Sequence, residues 1–170
     1  MSLILKAARY AASAHRGQMR KYGHSDRPYI THPARVAGRV AIASGATEEM
    51  VAAAWLHDVI EDCGVSEGEL LVAFGNEVSK LVAQMTNPSK KHPELNRARR
   101  KAMDLEHIAE VGREAKVIKL ADRVDNLRES LDDPETPPDF FKLYRAESRA
   151  LIEALRGVDS DLERELEELL

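Results

Sequence analysis

The sequence predicts an all-α protein of about eight to ten helices. Apolar residues recur at helical spacing in most segments, and residues typical of helix N-caps precede several of them. No segment has the strict alternation of apolar and polar residues that is typical of a half-buried strand. The tetrapeptide VIKL at 117–120 is the only strand-like stretch, and its flanks favour a helix.

Length and composition restrict the class of protein. The chain has 170 residues, enough for one domain with a sizeable core, so we expect a single domain over 1–170. Hydrophobic residues make up 44% and charged residues 32%, which argues against a disordered or membrane-embedded chain. The formal net charge of −4 argues against a DNA or RNA partner. A single cysteine, Cys63, excludes an intrachain disulfide and favours a cytoplasmic protein.

The first half of the chain is predicted to form five helices. Lys6 and Arg9 interrupt the apolar N-terminus, which therefore indicates an amphipathic helix and not a signal peptide or membrane anchor. Pro33 suits the first turn of the second helix, and Thr47 has a side chain suited to an N-cap. Gly75 separates the last two helices. The five predicted helices are residues 3–15, 32–44, 47–62, 66–73 and 76–85.

Two loops and a proline-rich break divide the rest of the chain. The segment 17–31 is rich in turn-forming and basic residues, and long loops in compact domains are often functional. A second loop covers 86–94, and the sequence DDPETPP at 132–138 ends a helix. Either Asp159 or Ser160 is expected to cap the final helix. The remaining predicted helices are residues 95–107, 112–131, 139–156 and 159–169.

The candidate chemistry lies in the sequence HDVIED, at the end of the third predicted helix. On a continuous helix, residues four apart share a face, so His57 lies beside Glu61 and Asp58 beside Asp62. The two pairs lie roughly 100° apart around the helix. Burying four polar groups without partners is costly, and a divalent metal would offset that cost. The alternative interpretation is that these residues form the solvated end of a surface helix.

Two residues elsewhere in the chain strengthen the metal hypothesis. His32 opens a helix after a turn-rich loop, and Asp122 lies inside an apolar helix. Together with His57 and Asp58 they make two imidazoles and two carboxylates. Such a mixed set suits Mn²⁺, Fe²⁺ or Zn²⁺ better than Ca²⁺ or Mg²⁺, and it leaves coordination positions open for water and substrate.

The pattern His32…His57-Asp58…Asp122 resembles the H…HD…D signature of HD-domain metal-dependent phosphohydrolases. Five segments also resemble the hydrolase domain of RelA/SpoT homologues, which degrade the alarmone (p)ppGpp; they are AHRGQMRKYG, RPYITHPARVA, AAAWLHDVIEDC, FGNEVSKLV and IKLADRVDNLRE. The resemblance covers about residues 5–131, the expected catalytic core, and continues more loosely through the C-terminal helices at 139–169. Length and layout are similar to those of the stand-alone small alarmone hydrolases, including the metazoan SpoT homologue.

This resemblance implies roles for the acidic and imidazole residues. It assigns metal binding, usually of Mn²⁺, to His32, His57, Asp58 and Asp122. It assigns catalysis to Glu61 and Asp62. The position of this pair agrees, because a carboxylate one turn beyond the ligands can orient a water molecule or take its proton. We expect Glu61 to have this role, with Asp62 assisting; the alternative for Glu61 is a solvent-facing helix residue.

The resemblance also implies contacts with a polyanionic nucleotide. It assigns Arg20 and Lys21 to the nucleotide and its phosphates, and Asn126 to the sugar. More loosely, it assigns Tyr144 to the nucleotide. In the basic stretch NRARRK, Arg97 or Arg100 is a candidate for the distal pyrophosphate, whereas a solvated helix face is the usual meaning of such a charge run.

Several other residues are expected to have different roles or mark departures from the family. Tyr29 is expected to serve packing, and Lys119 a structural role. Cys63 replaces a common Thr, and its thiol is the weaker hydrogen-bond donor. Asp125 stands where His or Tyr is common; it would repel phosphate if it faced the pocket and be harmless if it faced solvent. The remaining histidines have no partner pattern and are not expected to bind metal; they are His15, His24, His92 and His107.

The resemblance therefore implies Mn²⁺-dependent hydrolysis of the 3′-pyrophosphate of ppGpp and pppGpp to GDP or GTP and pyrophosphate. A synthetase domain does not fit in 170 residues. Two alternatives stay open: an HD phosphohydrolase acting on another nucleotide such as NADPH, and a non-catalytic nucleotide sensor. The oligomeric state, including a homo-oligomer, also stays open.

Overall fold

The structure, a computed structural model, describes residues 1–21 and 26–170. This part of the chain contains ten α-helices and one short 3-10 helix at Pro88–Lys91. The α-helices are α1 (Leu3–Ala14), α2 (Thr31–Ile42), α3 (Glu48–Leu56), α4 (Val59–Cys63), α5 (Glu67–Phe74), α6 (Asn76–Met85), α7 (Arg97–Glu110), α8 (Arg113–Asp132), α9 (Pro138–Ala154) and α10 (Ser160–Glu168). The all-α prediction is confirmed, and residues 117–120 are helical within α8.

Helices α3 and α8 form the centre of the protein. Helix α3 packs against α1, α2, α6 and α8, while α8 also contacts α7, α9 and α10. The Ala52-Ala53-Ala54 stretch of α3 is completely buried, and its small side chains let the neighbouring helices approach closely. The largest buried apolar residues of the two helices are Met50, Leu56, Ile118, Leu120 and Leu127. Helix α3 is therefore covered on almost every face, whereas α8 buries charged side chains together with its apolar ones.

Side-chain caps and one glycine account for several helix boundaries. The Thr47 side chain accepts a hydrogen bond from the backbone N–H of Met50, as predicted for an N-cap. Of the two candidates for the final helix, Asp159 is the cap. Gly75 separates α5 from α6 with a φ of +84°, which an L-residue with a side chain rarely adopts.

The prediction of one continuous helix over residues 47–62 is wrong. Helix α3 ends at Leu56, α4 begins at Val59, and His57 and Asp58 lie in a turn between them. Here the Nδ1 of His57 donates to the carbonyl of Ala54 at 2.8 Å. Neighbouring side chains on a regular helix point roughly 100° apart. The interruption of the helix lets the side chains of His57 and Asp58 face each other, with 2.9 Å between His57 Nε2 and Asp58 Oδ2.

The first predicted loop folds back on itself beside α4 and α8. The backbone N–H of Arg20 donates to the carbonyl of Arg27, and that of Tyr29 donates to the carbonyl of Gln18. Residues 22–25 of this loop lie outside the described residues. None of the helices in the described part of the chain is long and apolar enough to cross a membrane.

Candidate functional site

Side chains from three places in the chain converge on one point. His32 comes from the first turn of α2, His57 and Asp58 from the turn between α3 and α4, and Asp122 from the middle of α8. The Nε2 atoms of His32 and His57 are 3.2 Å apart, and Asp122 Oδ1 lies 3.3 Å from His32 Nε2. Asp58 Oδ2 lies 3.7 Å from His32 Nε2. The structure thus brings together all four predicted metal ligands.

The orientation of the two rings fits metal binding. Each Nδ1 is engaged away from the centre, His57 with the Ala54 carbonyl and His32 with the Asp125 carboxylate. Each Nε2 therefore faces the other ligands. Donor atoms of His32, His57 and Asp58 all lie within 4.8 Å of one another, close enough to share one ion. Two imidazoles and two carboxylates, with the rings held from outside, form a candidate site for a divalent metal.

The electrostatics of this cluster also favour a cation. Burial alone would lower the pKa of His57, but the charges of Asp58 and Asp122 outweigh burial and raise it to about 9. Burial would raise the pKa of Asp58, yet the nearby His57 holds it below its usual value. The pKa of Asp122 is likewise lowered despite burial, chiefly by the Lys119 ammonium 3.1 Å from its Oδ2. The carboxylates stay ionised, and the cluster attracts positive charge.

Tyr29 has a role that the sequence did not predict. Its hydroxyl donates a hydrogen bond to Asp58 Oδ2, and its ring lies against those of His15 and His32. Burial and the charge of Asp58 raise the pKa of Tyr29, so its hydroxyl stays protonated and able to donate. The only sequence signal was its position three residues before His32, at the entrance to α2.

The two predicted catalytic carboxylates lie on α4, directly after the ligands. The Glu61 side chain is 7% exposed and accepts a hydrogen bond from the backbone N–H of Asn87. The Lys90 ammonium lies 3.2 Å from the other Glu61 oxygen. Asp62 is more open and accepts a hydrogen bond from the Gln18 side chain at 2.9 Å. The solvent-facing alternative for Glu61 is therefore wrong, and the two predicted loops hold this pair.

A cleft of about 280 Å³ lies beside Asp62. Four of the five predicted substrate residues line this cleft, and Arg97 is the exception. The lining residues are Gln18, Met19, Arg20, Lys21, Tyr29, Asp62, Asn126, Ser130, Phe140 and Tyr144. Lys21 is exposed, and of the neighbouring loop residues, 22–25 lie outside the described residues.

Arg20 is bound mostly to the protein itself. Its side chain is 8% exposed, its Nε donates to Glu129 at 2.8 Å, and its terminal nitrogen donates to Asn126 Oδ1 at 2.7 Å. The amide nitrogen of Asn126 donates in turn to Asp122 Oδ1. Arg20 and Asn126 therefore connect the cleft with a candidate metal ligand.

The other two predicted substrate residues lie at α7 and α9. Arg97 makes two hydrogen bonds to Glu147, at 2.8 and 3.0 Å, and its guanidinium lies over the Phe140 ring. Tyr144 stacks on Phe140 with 5.6 Å between ring centroids, and the Arg123 guanidinium lies 4.5 Å from its ring centroid. Phe140 and Tyr144 therefore form an aromatic part of the cleft wall. Arg97 lies against Phe140 and is not among the residues that line the cleft.

The two departures from the family pattern both have partners in the protein. The Cys63 sulfur lies 3.2 Å from His15 Nδ1, and burial together with the charge of Asp62 raises the pKa of its thiol. Neither alternative for Asp125 holds, because it is buried among cations and faces neither the cleft nor solvent. The ammonium of Lys119 lies 3.1 Å from Asp122 Oδ2, so this residue contacts a candidate metal ligand.

Three of the four remaining histidines have partners outside the group of candidate ligands. His107 donates to the Gln84 carbonyl, and His92 is exposed beside Glu94. His15 pairs with Gln18 and Cys63. His24 lies outside the described residues.

Comparison with known proteins gives the class first: residues 7–143 match the family described as HD domain, to which this chain belongs. Within that family it is similar to proteins named guanosine-3′,5′-bis(diphosphate) 3′-pyrophosphohydrolase MESH1. The Xenopus tropicalis protein is 33% identical over 174 residues, covering 99% of this chain and 93% of the relative. The Homo sapiens protein is 34% identical over 172 residues, covering 98% and 92%.

Solved structures agree with the sequence comparison. The chain is similar to the structure titled "A metazoan ortholog of SpoT hydrolyzes ppGpp and plays a role in starvation responses", with a TM-score of 0.88 and 31% identity, covering 99% of this chain and 94% of that one. It is also similar to lmo0812 from Listeria monocytogenes, with a TM-score of 0.67 and 27% identity, covering 84% and 95%. The predicted resemblance to stand-alone RelA/SpoT-type hydrolases is thereby confirmed.

Proposed function

We propose that this protein hydrolyses the 3′-pyrophosphate of ppGpp and pppGpp, with Mn²⁺ as its metal and GDP or GTP and pyrophosphate as products. The observation that carries the proposal is the convergence of His32, His57, Asp58 and Asp122 beside two carboxylates and an open cleft. The similarity to the named MESH1 hydrolases over nearly the whole of both chains supports the same substrate. We further propose that residues 1–170 act as one cytoplasmic hydrolase domain.

The reaction requires a water molecule to attack the phosphorus that carries the ribose 3′ oxygen. The bond between that phosphorus and the 3′ oxygen breaks, the water oxygen stays on pyrophosphate, and the 3′ oxygen ends as a hydroxyl. A divalent metal, when bound by the four ligands, supplies positive charge that activates water and stabilises the phosphoryl group. Glu61 takes a proton from the water, and Asp62 assists in orienting it.

The contacts of Glu61 suit it to this role. One oxygen accepts from the backbone N–H of Asn87 and the other faces Lys90, so the carboxylate is held in one orientation and is only 7% exposed. A base held in this way loses little freedom when substrate arrives. Asp62, held by Gln18, lines the cleft that we assign to the nucleotide.

The cleft provides different surfaces for the phosphates and the nucleoside. We assign the 5′ phosphates to the exposed ammonium of Lys21, and the sugar to Asn126. The guanidinium of Arg20 lies over the ring of Tyr29 and offers its planar face to the nucleotide. Tyr144 offers an aromatic surface for the base. Arg97 would reach the distal pyrophosphate only after leaving Glu147.

The donor atoms favour Mn²⁺, Fe²⁺ or Zn²⁺, and the choice of Mn²⁺ among these ions rests on the family resemblance. Ca²⁺ and Mg²⁺ prefer oxygen ligands, whereas half of this set is imidazole nitrogen. The assignment is tested by removing metal with a chelator, adding a series of divalent ions one at a time, and measuring the activity that each ion restores. We expect Mn²⁺ to restore the rate and Ca²⁺ to fail.

The substrate is tested by incubating the purified protein with ppGpp and Mn²⁺ and separating the products by anion exchange. NADPH and GTP are incubated in parallel, and Glu61→Ala is the inactive control. The matched control is Glu77→Gln, which changes an exposed carboxylate on α6. We expect GDP and pyrophosphate from ppGpp only when metal is present and Glu61 intact. Phosphate release from NADPH without cleavage of ppGpp would instead support a phosphohydrolase that acts on another nucleotide. Metal binding without any reaction would support a non-catalytic nucleotide sensor.

A further inference from the structure

Asp125 is a buried carboxylate that touches a candidate metal ligand from behind. It lies on α8, is 1% exposed, and its Oδ2 is 2.7 Å from Nδ1 of His32. Its other oxygen accepts hydrogen bonds from Arg35 at 2.7 Å and Arg39 at 3.0 Å. A second nitrogen of Arg35 reaches Oδ2 at 3.0 Å. Both oxygens of Asp125 are thus fully occupied by donors.

This arrangement determines which nitrogen of His32 carries a proton. A carboxylate that already faces two guanidinium groups can only accept from the ring, so Nδ1 of His32 must be the N–H. Nε2 then presents its lone pair to the point where His57, Asp58 and Asp122 meet. A neutral imidazole with a free lone pair is the form that binds a metal.

The two arginines explain how the carboxylate stays in place. An ionised carboxylate at this depth is costly unless it is paired, and Arg35 and Arg39 supply the charge. Each arginine is anchored by a second acid, Arg35 by Glu129 and Arg39 by Glu165. The orientation of Asp125 is therefore fixed from the side that faces away from the metal ligands.

We propose that Asp125, held by Arg35 and Arg39, is a positioning residue that fixes the tautomer and orientation of His32 for metal binding. The inference rests on the proposed metal site and does not depend on which nucleotide is the substrate. It also gives a function to a residue that departs from the family pattern. His or Tyr at this position would not place a carboxylate against His32.

The first test is the Mn²⁺ affinity of Asp125→Asn, measured by calorimetry on chelator-treated full-length protein. Because every oxygen of Asp125 faces a donor, the amide NH₂ must oppose either His32 or an arginine. We expect the affinity for Mn²⁺ to fall by about 10- to 100-fold. The matched control is Asp161→Asn, which makes the same change at an exposed residue of α10 that pairs with Arg164 and should leave the affinity unchanged. Wild-type affinity in a folded Asp125→Asn variant would overturn the proposal.

A second test needs no variant of Asp125 and so does not depend on its folding. The wild-type protein, labelled with ¹⁵N at histidine and loaded with diamagnetic Zn²⁺, is studied by long-range ¹H–¹⁵N NMR, with His32→Gln to assign the signal. We expect a protonated Nδ1 and a metal-bound Nε2. The opposite pattern would refute the proposed role of Asp125.

If the wild type bound neither Mn²⁺ nor Zn²⁺, both this inference and the metal in the proposed function would fail. A normal metal site that does not cleave ppGpp would leave this inference intact and overturn only the substrate.

Discussion

The metal-ligand cluster and the cleft beside it are built in different ways. The cluster lies between α2, α3 and α8, and each of its histidines has a second partner that sets its orientation. The cleft is lined by a loop and by residues of α4, α8 and α9, and it includes the exposed Lys21 and aromatic side chains. We infer that the reaction chemistry is fixed by buried partners, whereas the choice of nucleotide depends on side chains with fewer constraints. Substitutions in the two regions should therefore affect different measured quantities.

The largest effect is expected from removing a ligand, as in His57→Ala. The substitution deletes one nitrogen donor and leaves Asp58 without its closest cationic partner. We expect the affinity for Mn²⁺ to fall by more than the ~100-fold that loss of an outer partner can cost. Calorimetric titration measures this, and activity at saturating metal should be lost as well. Activity that recovered fully with excess Mn²⁺ would argue against His57 as a ligand.

Glu61→Gln should separate catalysis from metal binding. The amide keeps the size of the side chain but cannot take a proton, so kcat should fall by about 10²- to 10⁴-fold. Because Glu61 is held by Asn87 and Lys90 and not by the metal-ligand cluster, the Mn²⁺ affinity should stay at the wild-type value. The comparison variant Asp62→Asn should lower kcat less. If Asp62→Asn were the more damaging substitution, the assignment of the base would be reversed.

Arg20 joins the two regions, so Arg20→Lys should affect both. Lysine cannot donate to Glu129 and Asn126 with the same planar geometry. We expect the free energy of unfolding in urea to fall by about 1.5–3 kcal/mol, the range for a hydrogen bond to a charged group. The affinity for Mn²⁺ should weaken too, because Asn126 holds Asp122. A higher KM with unchanged stability and metal affinity would instead mean that Arg20 serves only the substrate.

Lys21→Ala should act on the cleft alone. Lys21 is exposed, and we assign it only to phosphate. We expect KM for ppGpp to rise about 5-fold, equivalent to about 1 kcal/mol, while kcat and metal affinity stay unchanged. Added salt should reduce the difference between variant and wild type, because the contact is screened. A change in kcat at saturating ppGpp would contradict this division between the two regions.

The smallest effect is expected at Arg97, where the sequence left two interpretations open. Arg97→Gln removes a surface pair with Glu147, which should change the free energy of unfolding by less than about 1 kcal/mol. Glu147→Gln removes the same pair but keeps the arginine. If Arg97 contacts the distal pyrophosphate, KM rises only in Arg97→Gln; if it belongs to a solvated helix face, the KM of both variants equals that of the wild type.

The sequence by itself determined most of the helices and the identity of the candidate ligands. Apolar periodicity is a local property, so α6 and α8 were predicted within a residue or two of their ends, and Thr47 as a cap. The candidate ligands were recognisable because the pattern His32…His57-Asp58…Asp122 resembles the signature of HD-domain phosphohydrolases. Their roles, like those of the proposed substrate residues, stay predictions until they are measured.

Only the tertiary structure decided how these residues are held. The turn at His57 and Asp58, the Tyr29 contact with Asp58, the burial of Glu61 and the pairing of Asp125 all depend on contacts between distant parts of the chain. The local sequence pattern shows only that Asp125 is one of several acidic residues on a helix. Nothing in that pattern indicates that Arg35 and His32 contact Asp125 in the folded protein. The free energy of an ionised group depends on which charges surround it after folding, and that environment is set by packing and not by sequence spacing.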